Sequence, residues 1–293
     1  MFYKHLPVCA IIFTKMNYFE RAKYFKTKKR LGQNFLINGE VISEIIAESA
    51  ISKDDTVLEI GPGVGFVTEQ LIKHANKVVA VELDEDAIKE LKKLDAPNLK
   101  IIHKDILKTD ISEFSDKKIK VVANIPYYIT SPIIAHLLGE IDDLTNQNRN
   151  SIKEIILMVQ KEVALRMAAN ENSPDKQYGP LTILSQFWAD VEIFKQVGRK
   201  SFFPAPKVDS ALVKLTVREK PLLELSDYGH FRRVVKAAFA QRRKNIKNCL
   251  VAGGFAKDTV LKALIDLGLD ENIRGEKLSI EMLGKLSERL KND

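Results

Sequence analysis

The chain has 293 residues, 45% of them hydrophobic, with 46 Lys and Arg against 39 Asp and Glu and a formal net charge of +7. That apolar content excludes a disordered chain, and no run approaches the ~18–20 apolar residues a membrane span needs. Two cysteines as far apart as Cys9 and Cys249 exclude a disulfide framework or a thiolate metal site and point to a reducing, cytoplasmic compartment. The five histidines show no ligand spacing, so no metal is expected. Residues 1–30 hold eight basic residues and one acid, so they carry the whole excess charge and the rest of the chain is neutral. A nucleic-acid surface must then come from this leader and from local clusters.

In chain order, residues 1–27 read as a basic extension, either a disordered tail or an arm that orders on RNA. Its apolar stretch Leu6–Phe13 lacks the flanks of a secretory signal, because the basic residues follow it and no small-residue cleavage site appears. Met16 offers an alternative start. Val41, Ile45, Ile46 and Ser49 have helical spacing. Strands are expected at Thr56–Ile60, Val78–Val81, Leu99–His103, Lys120–Ala123 and Ile155–Val159. Helices are expected around Thr68–Ala75, from Glu85 to about Leu94, and near Pro132–Leu138. Short continuous apolar strands alternating with helices mean an α/β fold, a parallel sheet covered on both faces. Ser210–Val217 alternates like one strand of an antiparallel pair. Past Pro221 the chain is helical and charged, so a main domain over 28–220 and a small helical domain over 221–293 are expected.

The segment Glu59-Ile60-Gly61-Pro62-Gly63-Val64-Gly65 sits at a strand-to-helix turn, where glycines let backbone approach a ligand. A dinucleotide fingerprint would need glycine at the position of Phe66. Acids end three successive strands: Glu59, Glu82 and Asp105. Glu82 lies where an acid accepts from ribose hydroxyls, and Asp105 could accept from an adenine amino group. A pyrophosphate would be repelled by such acids, while a sulfonium and an amino-acid head group would not. The ligand inferred is S-adenosyl-L-methionine, on a Rossmann-like sheet.

The fourth strand ends in Asn124-Ile125-Pro126-Tyr127-Tyr128. The Asn124 side-chain oxygen and a backbone carbonyl near Pro126 can accept both hydrogens of an amino group. Proline fixes the turn, and Tyr127 offers a face for a planar base, a contact worth roughly 1–3 kcal/mol. An exocyclic adenine amine is a poor nucleophile because its lone pair is delocalised into the ring. Two acceptors can draw it toward tetrahedral geometry, so no strong general base is required, and the lack of a catalytic His or Cys fits.

The stretches Lys29–Leu36, Glu59–Gly63, Val81-Glu82, Asp105 and Asn124–Tyr127 together resemble the rRNA adenine dimethyltransferases, a class I S-adenosylmethionine-dependent methyltransferase family. Ser201–Ala211 and Phe239–Lys244 resemble the branch acting on bacterial 16S rRNA. They look less like the branch that methylates large-subunit rRNA and gives macrolide resistance. The resemblance runs from about Lys28 to Leu250 and implies dimethylation at N6 of two adjacent adenosines in the 3′-terminal hairpin loop of 16S rRNA within the small ribosomal subunit. By motif, Gln33, Asn34, Leu36, Glu59, Gly61, Gly63, Glu82, Asp105, Ile106 and Asn124 would contact the cofactor. Asn124 and Pro126 would hold the amine, Tyr127 would stack the adenine, and Phe202 is a candidate for its other face. An assembly factor that kept the fold without needing methylation could lose Asn124 or Tyr127, and this chain has both. A late role in small-subunit biogenesis is compatible with catalysis, and a monomer without an obligate protein partner is expected.

For RNA docking, Phe231–Lys247 holds Arg232, Arg233, Lys236, Arg242, Arg243, Lys244 and Lys247 with no acid. On one continuous helix Arg232, Lys236, Arg243 and Lys247 share a face opposite Val235, Phe239, Ile246 and Leu250. Solvated faces normally mix signs, so this face is expected to bind phosphates.

Overall fold

Runs dense in Val and Ile favour the extended backbone, where branched side chains pack well; buried on both faces, they build a parallel sheet. The computed structural model describes residues 17–292 except 175, 176 and 242. The chain starts with α1 (Tyr18–Tyr24), β1 (Phe35–Leu36), α2 (Gly39–Ser49), β2 (Thr56–Ile60), α3 (Thr68–His74), β3 (Lys77–Glu82) and α4 (Glu85–Lys92). It continues through β4 (Leu99–His103), β5 (Ile119–Asn124), α5 (Thr130–Leu138), α6 (Gln147–Asn150), β6 (Ile152–Gln160), α7 (Lys161–Met167) and α8 (Pro180–Trp188). Then come β7 (Ala189–Val197), β8 (Phe202–Phe203), β9 (Ser210–Val217), α9 (Tyr228–Ala240), α10 (Ile246–Ala252), α11 (Lys257–Asp266) and α12 (Ile280–Arg289).

Seven strands form one sheet in the order β4-β3-β2-β5-β6-β9-β7. The first five are parallel, and β9 runs antiparallel between β6 and β7. Successive side chains alternate between the two faces. Leu58, Ile60, Val121, Ala123, Ile155 and Leu157 join one buried cluster, while Val57, Val122, Ile156 and Met158 join the other. The strand order reverses between β2 and β5, and the crevice outside their carboxyl ends is where such sheets bind ligands. All five expected parallel strands are present, each within a few residues of its expected ends.

The extension differs from expectation. Residues 17–27 are not a loose tail: α1 packs against β8 and the start of α3, with Ala22 fully buried. Arg21 pairs with Glu69, Tyr18 stacks on Phe66 at 4.8 Å, and its hydroxyl accepts from Gln70 at 3.1 Å. Residues 1–16, including Leu6–Phe13 and Met16, lie outside the described residues. The C-terminal region is helical, as expected, but it shares its core with the sheet. Phe231 on α9 packs on Phe187 of α8 at 5.7 Å, and one buried cluster runs from the strands into α12. Arg232 adds ion pairs to Glu140 and Asp142.

Candidate active site

Where β2 ends, Gly61 and Gly63 take left-handed φ values of 65° and 57°, a region costly for other residues. At Gly63 a Cβ would lie 2.6 Å from the Phe35 ring, whereas at Gly61 it would meet nothing within 4 Å. The turn is therefore packed on one side and open on the other, toward a cleft of about 1030 Å³ counting the space open to solvent. Glu82, at the end of β3, holds the turn: its carboxylate accepts from Gly63 N at 2.9 Å, Leu83 N at 2.7 Å and Asp84 N at 2.8 Å. Burial pushes the Glu82 carboxyl above its ordinary value, and the three N–H donors only partly offset this.

Glu59 behaves differently from the acid at a strand end that the sequence suggests. It is 3% exposed and accepts from the Thr68 hydroxyl at 2.6 Å, tying β2 to the first turn of α3. Burial raises its carboxyl to about 8, opposed by the Thr68 hydroxyl and reinforced by the charge on Glu82. Burial thus favours its protonated form, and the Thr68 contact makes it a brace of the loop. Asp105 is half-buried beyond β4 and caps a short turn by accepting from Leu107 N at 3.0 Å.

The opposite wall is the segment Leu31–Leu36. Gln33 spends both ends of its amide: Oε1 accepts from Lys28 N at 2.7 Å, and Nε2 donates to Asp84 at 2.6 Å. Lys28 also pairs with Asp84, whose side chain is fully buried, so the arm is fastened to the β3–α4 turn. Burial pushes Asp84 up, but the hydrogen bonds from Lys28 and Gln33 outweigh it and hold the carboxyl low. Asn124, at the end of β5, donates Nδ2 to the Asn34 carbonyl at 3.0 Å, which leaves Oδ1 as an acceptor. Beyond Pro126, the half-buried Tyr127 shares a 2.6 Å hydrogen bond between its hydroxyl and Ser210 Oγ at the start of β9.

The structure brings twelve of the expected residues to this one cleft. Gln33, Asn34, Leu36, Glu59, Gly61 and Gly63 line it, as do Glu82, Asp105, Ile106, Asn124, Pro126 and Tyr127. Phe202 does not. It sits on β8, paired with Leu36 of β1, and is 2% exposed within the second buried cluster, so its ring has no face to offer a base. Ser210, Thr68 and Asp84 carry contacts the sequence reading did not assign. Ser210 does lie in the Ser201–Ala211 segment already singled out, but its partner Tyr127 is 83 residues away in sequence.

A family model described as ribosomal RNA adenine dimethylase matches residues 24–292. This chain belongs to that family. A Clostridium botulinum (strain Langeland) protein named "Ribosomal RNA small subunit methyltransferase A" is 44% identical over 270 residues, covering 90% of this chain and 94% of the relative. A Shouchella clausii protein of the same name is 45% identical over 277 residues, covering 91% and 90%. Among solved structures, a dimethyladenosine transferase from Plasmodium falciparum is 30% identical, with a TM-score of 0.69 over 85% of this chain and 94% of that one. The 23S rRNA methyltransferase ErmE is 29% identical, with a TM-score of 0.67 over 88% and 99%. The fold is thus that of rRNA methyltransferases, a Rossmann-like α/β sheet with a C-terminal helical domain.

The basic face expected on the C-terminal helices of this family member is not formed. The chain leaves α9 at Ala240 and re-enters helix at Ile246, where the Asn245 side chain accepts from Asn248 N at 2.9 Å and caps α10. Arg232, Lys236, Arg243 and Lys247 therefore share no single helix face. Arg232 is spent on Glu140 and Asp142, and Lys247 on Glu271 at 2.6 Å. Lys236, Arg243 and Lys244 are exposed, and Arg242 lies outside the described residues. No helix among the described residues is long and apolar enough to cross a membrane, and none of them form a metal-binding cluster.

Proposed function

We propose that this chain transfers methyl groups from S-adenosyl-L-methionine to N6 of two adjacent adenosines in the 3′-terminal hairpin loop of 16S rRNA, within the small ribosomal subunit in the cytoplasm. The products are N6,N6-dimethyladenosines. One observation carries the reading: the Oδ1 acceptor of Asn124 stands at the end of β5, on the same cleft as the glycine turn, Glu82 and Asp105.

The cleft fits the cofactor because the Gly61 side of the turn is open where a Cβ would intrude, and because acceptors for hydroxyl and amino hydrogens stand at two strand ends. Gly61, Gly63 and Leu36 would hold the amino-acid end, Glu82 the ribose hydroxyls, and Asp105 with Ile106 the adenine. When bound, the cofactor supplies a methyl group on a sulfonium, whose departure leaves a neutral thioether. Asn124 Oδ1 and a backbone carbonyl near Pro126 accept the two N6 hydrogens of the target. That withdraws the lone pair from the ring and aims it at the methyl carbon. Tyr127 holds the base by its face, with the ring fixed by Ser210. The amine attacks before it loses its proton, so the proton leaves to water afterward and no buried base is needed.

The names of the Clostridium and Shouchella relatives support the small-subunit branch, as does the Phe202–Ala211 segment. A late role in subunit biogenesis, acting as a monomer, belongs to the same proposal. The test offers labelled cofactor to small and large subunits from a strain lacking the small-subunit modification, followed by nuclease digestion. Dimethyladenosine from the small subunit alone is expected. Label in naked large-subunit rRNA would overturn the assignment, and subunit binding lost together with methylation in Asn124→Ala would overturn a separate assembly role.

A further inference from the structure

Besides the exposed Lys236, Arg243 and Lys244 of the C-terminal helices, a second set of cations is placed to meet RNA. They gather along the edge of the sheet that carries the active site. Strand register sets Gln160 at the end of β6 and Val197 at the end of β7 on either side of Ser210, the residue that holds the Tyr127 hydroxyl. Just past these ends the chain forms a groove lined by Lys161, Leu165, Arg199, Lys207 and Val208. Its floor is fixed by two hydrogen bonds to Asp209: Lys161 N donates to the Asp209 carbonyl at 3.0 Å, and Arg199 N to the side-chain Oδ1 at 3.0 Å.

The charge of this groove is unbalanced. Its acids are Glu162, already paired with Arg166, and Asp209, engaged by the Arg199 amide. Lys161, Arg199, Lys207 and the neighbouring Lys200 make no ion pair among the described residues, and all but the half-buried Lys161 are exposed. Val208, 45% exposed, adds an apolar contact at the rim. Lys161, Arg199, Lys207 and Lys200 against one carboxylate without an ion pair, Asp209, leave a net positive edge that favours a polyanion, because each phosphate neutralised releases condensed counterions. Continuity with Tyr127 through Ser210 says which polyanion. A base drawn out of its stack onto Tyr127 brings its own backbone to the neighbouring rim.

We propose that Lys161, Arg199 and Lys207, with Lys200 beside them, bind the phosphodiester backbone of the strand whose adenosine enters the Tyr127 site. This rests on the reading of the cleft as an RNA adenine site. Phosphate contacts of this kind position a strand without reading its sequence, so the groove sets how the target loop enters.

The test measures affinity for small subunits lacking the modification as a function of salt, with full-length protein. The triple variant K161Q/R199Q/K207Q is expected to lower the slope of log affinity against log salt by about two to three, at roughly 0.7–0.9 per phosphate contact. Cofactor affinity and the rate at saturating subunit should remain those of the parent. A control triple, K53Q/K73Q/K117Q, removes the same charge from the opposite edge of the sheet, before β2, β3 and β5, and should leave the slope within about one. If the groove triple does not fold, Arg199→Gln alone should still lower the slope by about one, and Arg199→Lys should restore it. An unchanged slope in the groove variants, or an equal fall in the control, would overturn the proposal. Parent protein that neither binds nor methylates the subunit would overturn the groove and the function it rests on together.

Discussion

Tyr127 is the residue whose role can be divided most cleanly by substitution. Its ring is the proposed stacking face, and its hydroxyl is held at 2.6 Å by Ser210, a residue with no exposed surface. Replacing Tyr127 with Ala removes the face, worth roughly 1–3 kcal/mol, which corresponds to a loss of about five- to 150-fold in kcat/KM. Replacing it with Phe keeps the face and frees the ring from Ser210. The hydrogen bond is worth about 1 kcal/mol, so a loss of about fivefold is expected. In the Phe background, Ser210→Ala should cost almost nothing further in rate, because the bond it served is already gone. Methylation kinetics on unmodified small subunits, with cofactor affinity measured separately, supply the assay. Cofactor affinity should stay within about twofold in all three variants, since the residues proposed to hold it are others in the cleft. Tyr127→Phe as damaging as Tyr127→Ala would refute the stacking argument, and a full additional loss from Ser210→Ala would refute the positioning role.

The two glycines of the turn should separate stability from binding. Gly61→Ala strains a left-handed residue but meets no neighbour, so it should cost only about 1 kcal/mol in stability while reducing cofactor affinity at least tenfold; calorimetry reads both. Gly63→Ala drives a methyl into Phe35, so its main effect should be a lower melting temperature. Glu59→Gln should change the pH dependence of stability. The fold holds the Glu59 carboxyl at about 8 against an ordinary 4.5, so it favours the protonated form. The contribution of Glu59 is complete below the ordinary value and is lost as pH rises toward about 8. Urea denaturation near pH 5 and near pH 9 should show the parent losing a few kcal/mol relative to the Glu59→Gln variant; parallel profiles would contradict the burial argument. Arg232→Gln, finally, should lower stability by about 1 kcal/mol or less and leave the salt dependence of subunit binding unchanged, since this arginine serves Glu140 and Asp142.

The parallel strands were readable because Val78–Val81 and Ile155–Val159 are apolar on both faces, as their burial requires. β7 was not, although Val191 and Ile193 alternate with acids. A register shift between Ile193 and Lys195 interrupts the period at the sheet edge. β1 and β8 are two residues each, too short for any periodicity to show. The side of the cleft proposed to hold the cofactor is legible because glycines and acids fall at strand ends, where local sequence alone places them. What escaped depends on distant partners. Asn124 finds the carbonyl of Asn34 across 90 residues, and Arg232 finds Asp142 across 90. Phe202 looked available until its pairing with Leu36 buried it. The break between α9 and α10 had one local signal, Asn245, overridden by a basic run that continues the helical spacing. In the sequence Arg21 and Lys28 stand as free charge, but both have acidic partners distant in sequence, Glu69 and Asp84, so residues 17–28 are ordered by contacts that local sequence does not show.

The central claim is that Asn124, at the end of β5, presents the N6 amine of adenosine to a methyl donor in the adjoining cleft. The most direct measurement is mass spectrometry of the 3′-terminal nuclease fragment of 16S rRNA after unmodified small subunits are incubated with S-adenosyl-L-methionine and either the parent protein or Asn124→Ala. The parent is predicted to give two adjacent N6,N6-dimethyladenosines and the variant none, with subunit binding retained. Methyl groups on another base, or Asn124→Ala working at the parent's rate, would contradict the account.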